Sequence, residues 1–449
     1  MINKIRRIIA VCCCKGLILI GKLLGKKGSS TPGTFALRLY PNILKELAAQ
    51  VRHETIFVCG TNGKTTTNNL LDALLRQDGR RVVCNHVGAN MLPGVACAYI
   101  SACSLTGRLA ADYAAIECDE ASLRHVIKHV KPDMLIITNL FRDQLDRYGE
   151  LDITIDLLKQ ALDKLPDTTL VLNCDDPLCA QFGKNRKAIY YGIDENCSVS
   201  VNETKEGQFC LQCGAPLHYR YYHYSQLGDY TCTSCGFCRP KADYSARDIC
   251  QDGKLAFTIY EGHTPYRLDL NYRGFYNIYN VLASFAAYQS LGLPTKGLDK
   301  VFNAYQPQIG RMEAFTISGK QVIFNLSKNP AGFNQAIATL ISDRRTKDVM
   351  VVINDNAQDG IDVSWLWDVD FDRLHDANVQ HLTASGIRKY DIGLRLKYAG
   401  FKQIKTVSRT RASLLEAIQG PGEVCYILVN YTALFSTQND LKALERGEH

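Results

Sequence analysis

Ile56-Phe57-Val58-Cys59-Gly60-Thr61-Asn62-Gly63-Lys64-Thr65-Thr66-Thr67 is the stretch whose reading decides the fold. Ile56 to Cys59 form a short apolar run, the pattern of a buried strand, which breaks at Gly60. A glycine-bounded turn leads to Lys64 and Thr65, and apolar residues then recur at helical spacing (Leu70, Leu71, Leu74, Leu75). Strand, turn and helix in that order make a phosphate cradle. Glycines let backbone N–H groups close on phosphate oxygens, Lys64 brings positive charge, Thr65 offers a hydroxyl to Mg²⁺, and the helix N-terminus adds a favourable dipole. Val58 stands where the full Walker spacing would place a glycine, so this is a shortened form. An ordinary turn beside a surface lysine would share these residues; the flanking strand and helix select a nucleotide site.

Outward from the cradle, 449 residues leave room for several domains with proper cores. A chain 46% hydrophobic and 22% charged is ordinary for a globular protein and excludes a disordered or fibrous one. The net charge of +7 suits an anionic ligand or membrane surface but is too weak to argue for nucleic acid. Of eighteen cysteines, Cys59, Cys84, Cys97, Cys118, Cys174 and Cys425 sit singly in apolar runs, where a reduced thiol packs as a small hydrophobe. That usage, with a nucleotide site, points to the cytosol. Near the N-terminus, Ile8 to Ile20 is apolar but interrupted by Lys15 and flanked by Lys4, Arg6, Arg7, Lys22, Lys26 and Lys27. It is too short to span a bilayer. Two readings stand: a helix packed on the main domain, which is favoured, or a basic amphipathic segment on the inner face of an anionic membrane.

Strand-like segments (56–59, 81–85, 113–117, 134–138, 169–173) alternate with helical ones (64–77, 121–129, 153–164, 277–291). Such alternation implies an α/β fold with a central parallel sheet covered on both faces and ligands at the carboxyl ends of its strands. The expected organisation is an N-terminal basic and apolar segment (1–50), a central ATP-binding domain (51–311) interrupted by an insertion at 197–250, and a smaller α/β domain (312–449). That last domain carries strands at 313–318, 321–325, 349–353, 379–384, 404–407 and 424–429.

Chemistry-bearing residues collect at the strand ends. Glu117-Cys118-Asp119-Glu120 ends one strand; beside a phosphate cradle a hard cation needs such oxygens, and Glu117 is the expected Mg²⁺ ligand. Asp119 and Glu120 suit the cap of the following helix equally well. Thr138-Asn139-Leu140-Phe141-Arg142-Asp143-Gln144-Leu145-Asp146 and Asn173-Cys174-Asp175-Asp176-Pro177 follow further strands, then Asn277-Ile278-Tyr279-Asn280 opens a helix and Gly310-Arg311 marks a boundary. Each alone is a common turn composition. Cys210-x2-Cys213-x18-Cys232-x2-Cys235 is more specific: two pairs, each turned by a following glycine (Gly214, Gly236), bring four thiolates into a tetrahedron suited to structural Zn²⁺. Cys238 could stand in for Cys235. His218 and His223 are expected at the surface among tyrosines. Tyr219, Arg220, Tyr221 and Tyr222 could stack on bases, but without a larger basic patch a nucleic-acid partner is not expected.

Taken together and in order, these motifs closely resemble the Mur ligase family, whose members form amide bonds on cell-wall precursors at the expense of ATP. The resemblance covers residues 56 to about 335. It implies a nucleotide cradle of Gly60, Thr61, Asn62, Gly63, Lys64, Thr65 and Thr66. Lys64 lies on the phosphates, Thr65 and Glu117 on Mg²⁺, Asn277 on adenine and Arg311 at the nucleotide near the domain hinge. Lys159 lies at the spacing of the family's carbamoylated lysine. Gln144, Tyr276 and Asn325-Leu326-Ser327-Lys328-Asn329-Pro330 depart from the family's usual residues, and too few residues precede Ile56 for its uridine-nucleotide domain.

Val351-Val352-Ile353-Asn354-Asp355-Asn356-Ala357-Gln358-Asp359-Gly360 runs a strand into a polar rim. With the four-cysteine insertion and the missing uridine domain, it resembles one branch of the family, the MurT-type synthetase subunits of lipid II isoglutaminyl synthase. That resemblance implies amidation of the α-carboxylate of D-glutamate in the lipid II stem peptide. It also implies a GatD-like class I glutaminase partner that supplies ammonia, with Asp355 lending its acid to the partner's Cys–His pair. The alternatives are a stand-alone ligase adding an amino acid, as folylpolyglutamate synthases do, or a zinc-ribbon ATPase that binds nucleic acid.

Overall fold

A computed structural model describes residues 2–23, 30–86, 89–142, 151–197, 207–251, 255–272, 274–305, 310–356 and 358–447. Lys26, Lys27, Asp143 to Asp146 and Ala357, singled out above, lie outside these. The central domain is built on a sheet of β1 (Thr55–Cys59), β2 (Val82–Cys84), β3 (Tyr113–Glu117), β4 (Met134–Ile137), β5 (Thr169–Asn173), β6 (Ala188–Ile193), β9 (Tyr244–Cys250), β10 (Leu255–Glu261) and β11 (Thr264–Leu270). Their spatial order is β2-β3-β1-β4-β5-β6-β9-β10-β11. From β2 to β9 the pairs are parallel; β10 and β11 add an antiparallel edge. The segment 197–250 therefore returns to the main sheet at Tyr244.

Successive side chains of a strand point to opposite faces, which divides the core in two. Ile56 and Val58 meet Leu70, Leu71, Leu74 and Leu75 of the helix Lys64–Gln77 and the long helix Tyr276–Ser290. Phe57 and Cys59 meet the other layer: the helices Leu92–Ala102, Glu120–Val126 and Leu151–Leu162, and three N-terminal helices. All five residues of β1 are buried, as a central parallel strand requires.

The N-terminal apolar segment is a helix, Ile2–Leu23, and it packs. Ala10, Val11 and Cys14 are fully buried against the helices Thr31–Leu39 and Leu92–Ala102. Arg7 pairs with Glu46 at 3.2 Å and Lys15 Nζ donates to the Ser101 carbonyl at 3.1 Å. Its opposite face stays open, with Ile5, Ile9, Leu19, Ile20 and Leu23 about half-exposed or more. Among the described residues no helix is long and apolar enough to cross a membrane.

Between β6 and β9 the chain forms a separate hairpin, β7 (Leu217–Tyr224) and β8 (Leu227–Cys232). The C-terminal domain has a second sheet of β12 (Glu313–Ile317), β13 (Lys320–Leu326), β14 (Lys347–Val352), β15 (Val379–Ser385), β16 (Lys405–Thr406) and β17 (Val424–Val429), in the order β12-β13-β17-β14-β15-β16. Only the β12/β13 edge is antiparallel. Val349 and Val351 face one core with Phe333 and Ile337; Met350 and Val352 face another with Leu414 and Leu434.

The first helix thus has two apolar faces with opposite roles. Val11→Asp buries an unpaired charge and should lower the unfolding free energy by about 3 kcal/mol or more, whereas Leu19→Ser should stay within about 0.5 kcal/mol. Urea unfolding midpoints of the two variants measure the difference; equal effects would show that both faces are packed.

Candidate active site

The phosphate loop begins where β1 ends. Gly60 has φ +121°, and a Cβ there would sit 2.2 Å from Thr138 Oγ1; Gly63 has φ +84°, and a Cβ would sit 2.2 Å from Asn280 Oδ1. Both positions therefore demand glycine, for backbone angle and for space. The loop is braced from the side by the strand end after β4. Asn62 N donates to Asn139 Oδ1 (2.8 Å), Thr138 Oγ1 to the Asn62 carbonyl (2.7 Å), Thr61 N to the Asn139 carbonyl (2.8 Å) and Phe141 N to Thr61 Oγ1 (3.0 Å).

Lys64 opens the helix and is 8% exposed. Its ammonium donates to the Gly60 carbonyl at 2.5 Å and to Glu120 Oε1 at 2.9 Å. Glu120 Oε1 also accepts from Gly60 N at 2.6 Å. Burial pushes Glu120 above the usual carboxylate range, against the pull of Lys64. The three carboxylates after β3 thus sort by geometry. Asp119 caps the helix Glu120–Val126, accepting from Ser122 N at 3.2 Å. Glu120 does not cap; it turns inward to the phosphate loop. Glu117 is 2% exposed; its Oε1 accepts from Asn90 Nδ2 at 2.9 Å, while its Oε2 is buried without a hydrogen-bond partner. Asn85 clamps the Glu117 backbone, accepting from its N–H and donating to its carbonyl, both at 2.8 Å. A buried carboxylate oxygen without a donor, on the strand paired with the one that runs into the glycine loop, fits a hard divalent cation.

A cleft of about 660 Å³, counting the solvent in its mouth, lies above this loop. Asn62, Gly63 and Thr66 form its floor, Tyr276 and Asn280 one wall with Tyr224 of the hairpin, and Arg311, Asn325 to Asn329 and Gln335 the C-terminal side. Asn329 joins the two domains: its Nδ2 donates to Asn62 Oδ1 at 3.2 Å while its Oδ1 caps the helix Pro330–Ser342 through Gly332 N at 2.9 Å. Arg142 adds a second link, 3.3 Å from Asp368. Arg311 lies on the cleft. Asn280 rather than Asn277 is among its lining residues; Asn277 is buried behind it and accepts from Asn280 Nδ2 at 3.0 Å. Lys159 is absent from the lining; it is half-exposed, 3.8 Å from Asp156.

The four cysteines converge. The Sγ atoms of Cys210, Cys213, Cys232 and Cys235 all lie within 4.8 Å of one another. Gly214 and Gly236, at φ +75° and +74°, turn the two knuckles. N–H groups of Cys235 and Ser234 point at Cys232 Sγ, both at 3.4 Å, and lower that thiol to about 6. Four soft sulfurs with N–H support fit Zn²⁺. Cys238 is exposed and outside the group. His218 is exposed, but His223 corrects the surface expectation: it is fully buried, 3.7 Å from Asp175, because its strand enters the core at that end. Tyr219 and Tyr222 stack on each other with centroids 4.1 Å apart, and Arg220 pairs with Asp229.

In the C-terminal domain the two aspartates of the rim part company. Asp359 is buried and accepts from Thr432 N at 2.8 Å and from the Thr432 hydroxyl. Asp355 lies outward, its side chain 20% exposed, held by Arg388 Nε at 2.8 Å. Ile361, Ile387 and Tyr390 are exposed in the same region, with Ile387 N donating to Asn354 Oδ1 at 3.1 Å.

Two family models match the chain: the Mur ligase middle domain over residues 58–288 and the MurT ligase C-terminal domain over residues 326–434. The MurT subunit of the glutamine-hydrolyzing lipid II isoglutaminyl synthase of Staphylococcus aureus (strain COL) is 35% identical over 380 residues, 84% of each chain. The corresponding subunit of Streptococcus pneumoniae (strain ATCC BAA-255 / R6) is 34% identical over 415 residues, 91% of each chain. Among solved structures, a pseudomurein peptide ligase type C from Methanothermus fervidus superposes with a TM-score of 0.67 at 23% identity, covering 88% of this chain and 79% of the other, a likeness of fold.

The cysteine cluster makes a direct prediction. Elemental analysis of purified protein should find one zinc per chain, lost in Cys213→Ser and retained in Cys238→Ser. Loss in the second variant and retention in the first would move the ligand set.

Proposed function

The chain belongs to the MurT branch of the Mur ligase family, and from that premise we propose that it is the ATP-dependent synthetase subunit that amidates the α-carboxylate of D-glutamate in the lipid II stem peptide. The product carries D-isoglutamine, and the ammonia comes from a GatD-like class I glutaminase. The observation that carries the reading is a buried lysine paired with Glu120 at a glycine loop whose residues Asn62 and Gly63 line a cleft between two α/β domains.

A carboxylate is a poor electrophile, so it must be primed. Phosphoryl transfer breaks the bond between the γ-phosphorus of ATP and its bridging oxygen and makes a bond to a carboxylate oxygen. Ammonia then adds its lone pair to the acyl carbon, phosphate leaves with the bonding pair, and the nitrogen sheds a proton. Lys64 exchanges Glu120 for phosphate oxygens, so its charge never lies buried and unpaired. Backbone N–H groups of the loop and the helix N-terminus orient the same oxygens. Thr65 and Glu117, with Glu120 beside them, would hold Mg²⁺, which supplies positive charge against the phosphates during transfer. Asn280, Tyr276 and Arg311 face the remainder of the nucleotide.

Asp355 serves the partner. A glutaminase Cys–His pair is oriented by a third carboxylate, and Asp355 stands on a rim with exposed apolar neighbours where a docked protein can reach it. The open face of the first helix has a different task. Ile5, Ile9, Leu19, Ile20 and Leu23 form an apolar stripe with Lys4, Arg6 and Lys22 exposed alongside, the chemistry of a helix resting on an anionic bilayer. A lipid-anchored substrate places the protein at the cytoplasmic leaflet.

Amidation of lipid II, followed by mass spectrometry of the muropeptide, tests the scheme. Lys64→Ala should lower amidation and carboxylate-dependent ATP turnover roughly 10²-fold or more whether ammonium or glutamine is supplied. Asp355→Asn should depress the glutamine-driven reaction roughly 10²–10⁴-fold relative to the ammonium-driven one. Unchanged turnover in the first variant removes the ATP site; an equal response to both nitrogen sources in the second removes the interface role.

For the membrane face, Ile5, Ile9 and Leu19 replaced together by Ser should weaken co-sedimentation with phosphatidylglycerol vesicles several-fold. Their urea midpoint should hold, and so should activity on a soluble stem-peptide analogue. Undiminished vesicle binding would take the stripe out of the membrane.

A further inference from the structure

We infer that the four-cysteine ribbon is a wall of the nucleotide cleft, and that Tyr224 at the tip of its hairpin contacts the nucleotide base. The inference rests on the reading of the cleft as the ATP site.

Hairpins usually leave their turn in solvent. This one is driven tip-first into the central domain. His223, Tyr224, Gln226 and Leu227, at and beside the turn, are at most 3% exposed. At the opposite end, Cys213 and Cys235 are exposed. A buried turn must satisfy its own polar groups, and here it does so on the chain that follows β4 and β5. Gln226 Nε2 donates to the Leu140 carbonyl at 2.7 Å, Gly228 N to the Asp175 carbonyl at 2.9 Å, and the Tyr230 hydroxyl to the Cys174 carbonyl at 3.1 Å. Leu140 lies between Asn139 and Phe141, the residues that brace Asn62 and Thr61 of the phosphate loop. The hairpin tip and the phosphate loop therefore share one support.

Tyr224 lines the cleft with Asn62, Gly63 and Asn280. Its ring is fixed by aromatic neighbours, edge-on to Phe275 and Tyr279 at 6.2 and 6.0 Å and tilted to Phe141 at 6.0 Å. A rigid aromatic ring on the cleft wall, beside the amide of Asn280, suits a flat base with π faces and polar edges.

An isolated two-stranded hairpin is marginal in water. This one is held at its open end by the cysteine cluster and at its tip by the central domain. Zinc occupancy and nucleotide binding then bias the same element and must be coupled in both directions.

Isothermal titration with ADP and Mg²⁺ on the full chain reads the coupling. Tyr224→Phe should keep the Kd within about twofold and Tyr224→Leu should raise it roughly tenfold, with zinc content unchanged in both. Zinc-free Cys213→Ser should also bind ADP several-fold more weakly. Reciprocally, in the unsubstituted protein ADP should raise the chelator concentration that strips half the zinc, and Lys64→Ala should abolish that protection. If Lys64→Ala loses ADP while Tyr224→Leu binds as the parent, or if ADP gives the parent's zinc no protection, the ribbon is not part of the site. If Lys64→Ala itself binds ADP as the parent does, the cleft is not the ATP site and the underlying reading fails first.

Discussion

A buried ammonium has to be neutralised wherever it sits, and the central domain is arranged so that Lys64 always is. The lysine opens the helix that follows β1; its partner, Glu120, opens the helix that follows β3. These strands pair in parallel with Val58 opposite Glu117, so the register delivers the acidic stretch to the glycine loop. Reversing or slipping that pairing would strand both charges in a low dielectric at a cost of several kcal/mol. The same Glu120 oxygen accepts from Gly60 N, so the pair holds the loop as well as the charge. On the proposed reading, an arriving phosphate would replace one anion with another at Lys64. The site is then poised without being strained.

The second constraint is the junction between the sheets. The chain leaving β1 (Asn62, Gly63), the chain leaving β4 (Asn139) and the end of β13 with the residues after it (Asn325 to Asn329) meet at one cleft, the position where open α/β sheets bind ligands. Asn329 is the join: one amide caps a C-terminal-domain helix and reaches Asn62 in the phosphate loop. Gly310 and Met312, at φ +75° and +52°, flank Arg311 where the chain passes between domains. A left-handed backbone on both sides fixes the direction from which that arginine enters the cleft.

Elements carried by local pattern were legible in the sequence. The strands β1 to β5 of the central sheet, the helix after the glycine loop and the strands of the C-terminal sheet were expected within a few residues of where they lie. The helix Leu92–Ala102, the strand β6 and the edge β9–β11 were not: the helix has apolar residues all round, β6 carries two tyrosines and a glycine in a six-residue run, and the edge lies beyond a cysteine-rich stretch that reads as irregular. At the site, Glu117 was picked because it ends a strand. Glu120 was read as a cap because its local context is a helix start; only the parallel pairing of β1 with β3 shows that it faces Lys64. Asn277 and Asn280 lie one turn apart on the same helix face, and no sequence rule says which is outermost. His223 misled for the opposite reason: flanking tyrosines look like surface until the hairpin is seen to enter the core by its tip. Lys159 was placed by family spacing, and spacing says nothing about which face of a helix meets the site.

The C-terminal rim shows how a fold sets one of two similar carboxylates apart. Asp359 is consumed by structure, tied to the backbone and hydroxyl of Thr432. Asp355, four residues earlier, is held by Arg388, and Arg388 has a second carboxylate within reach, Asp391 at 3.7 Å. If Asp355 turns to a partner's imidazolium, Arg388 keeps a counter-charge, so the exchange leaves no cation unpaired. Such an arrangement lowers the cost of lending a carboxylate across an interface, because the desolvation of Asp355 is offset by the incoming imidazolium while Arg388 remains neutralised at the solvent edge. The same substitution of one counter-ion for another operates at Lys64, so both ends of the proposed reaction rely on charges that change partners without ever losing one.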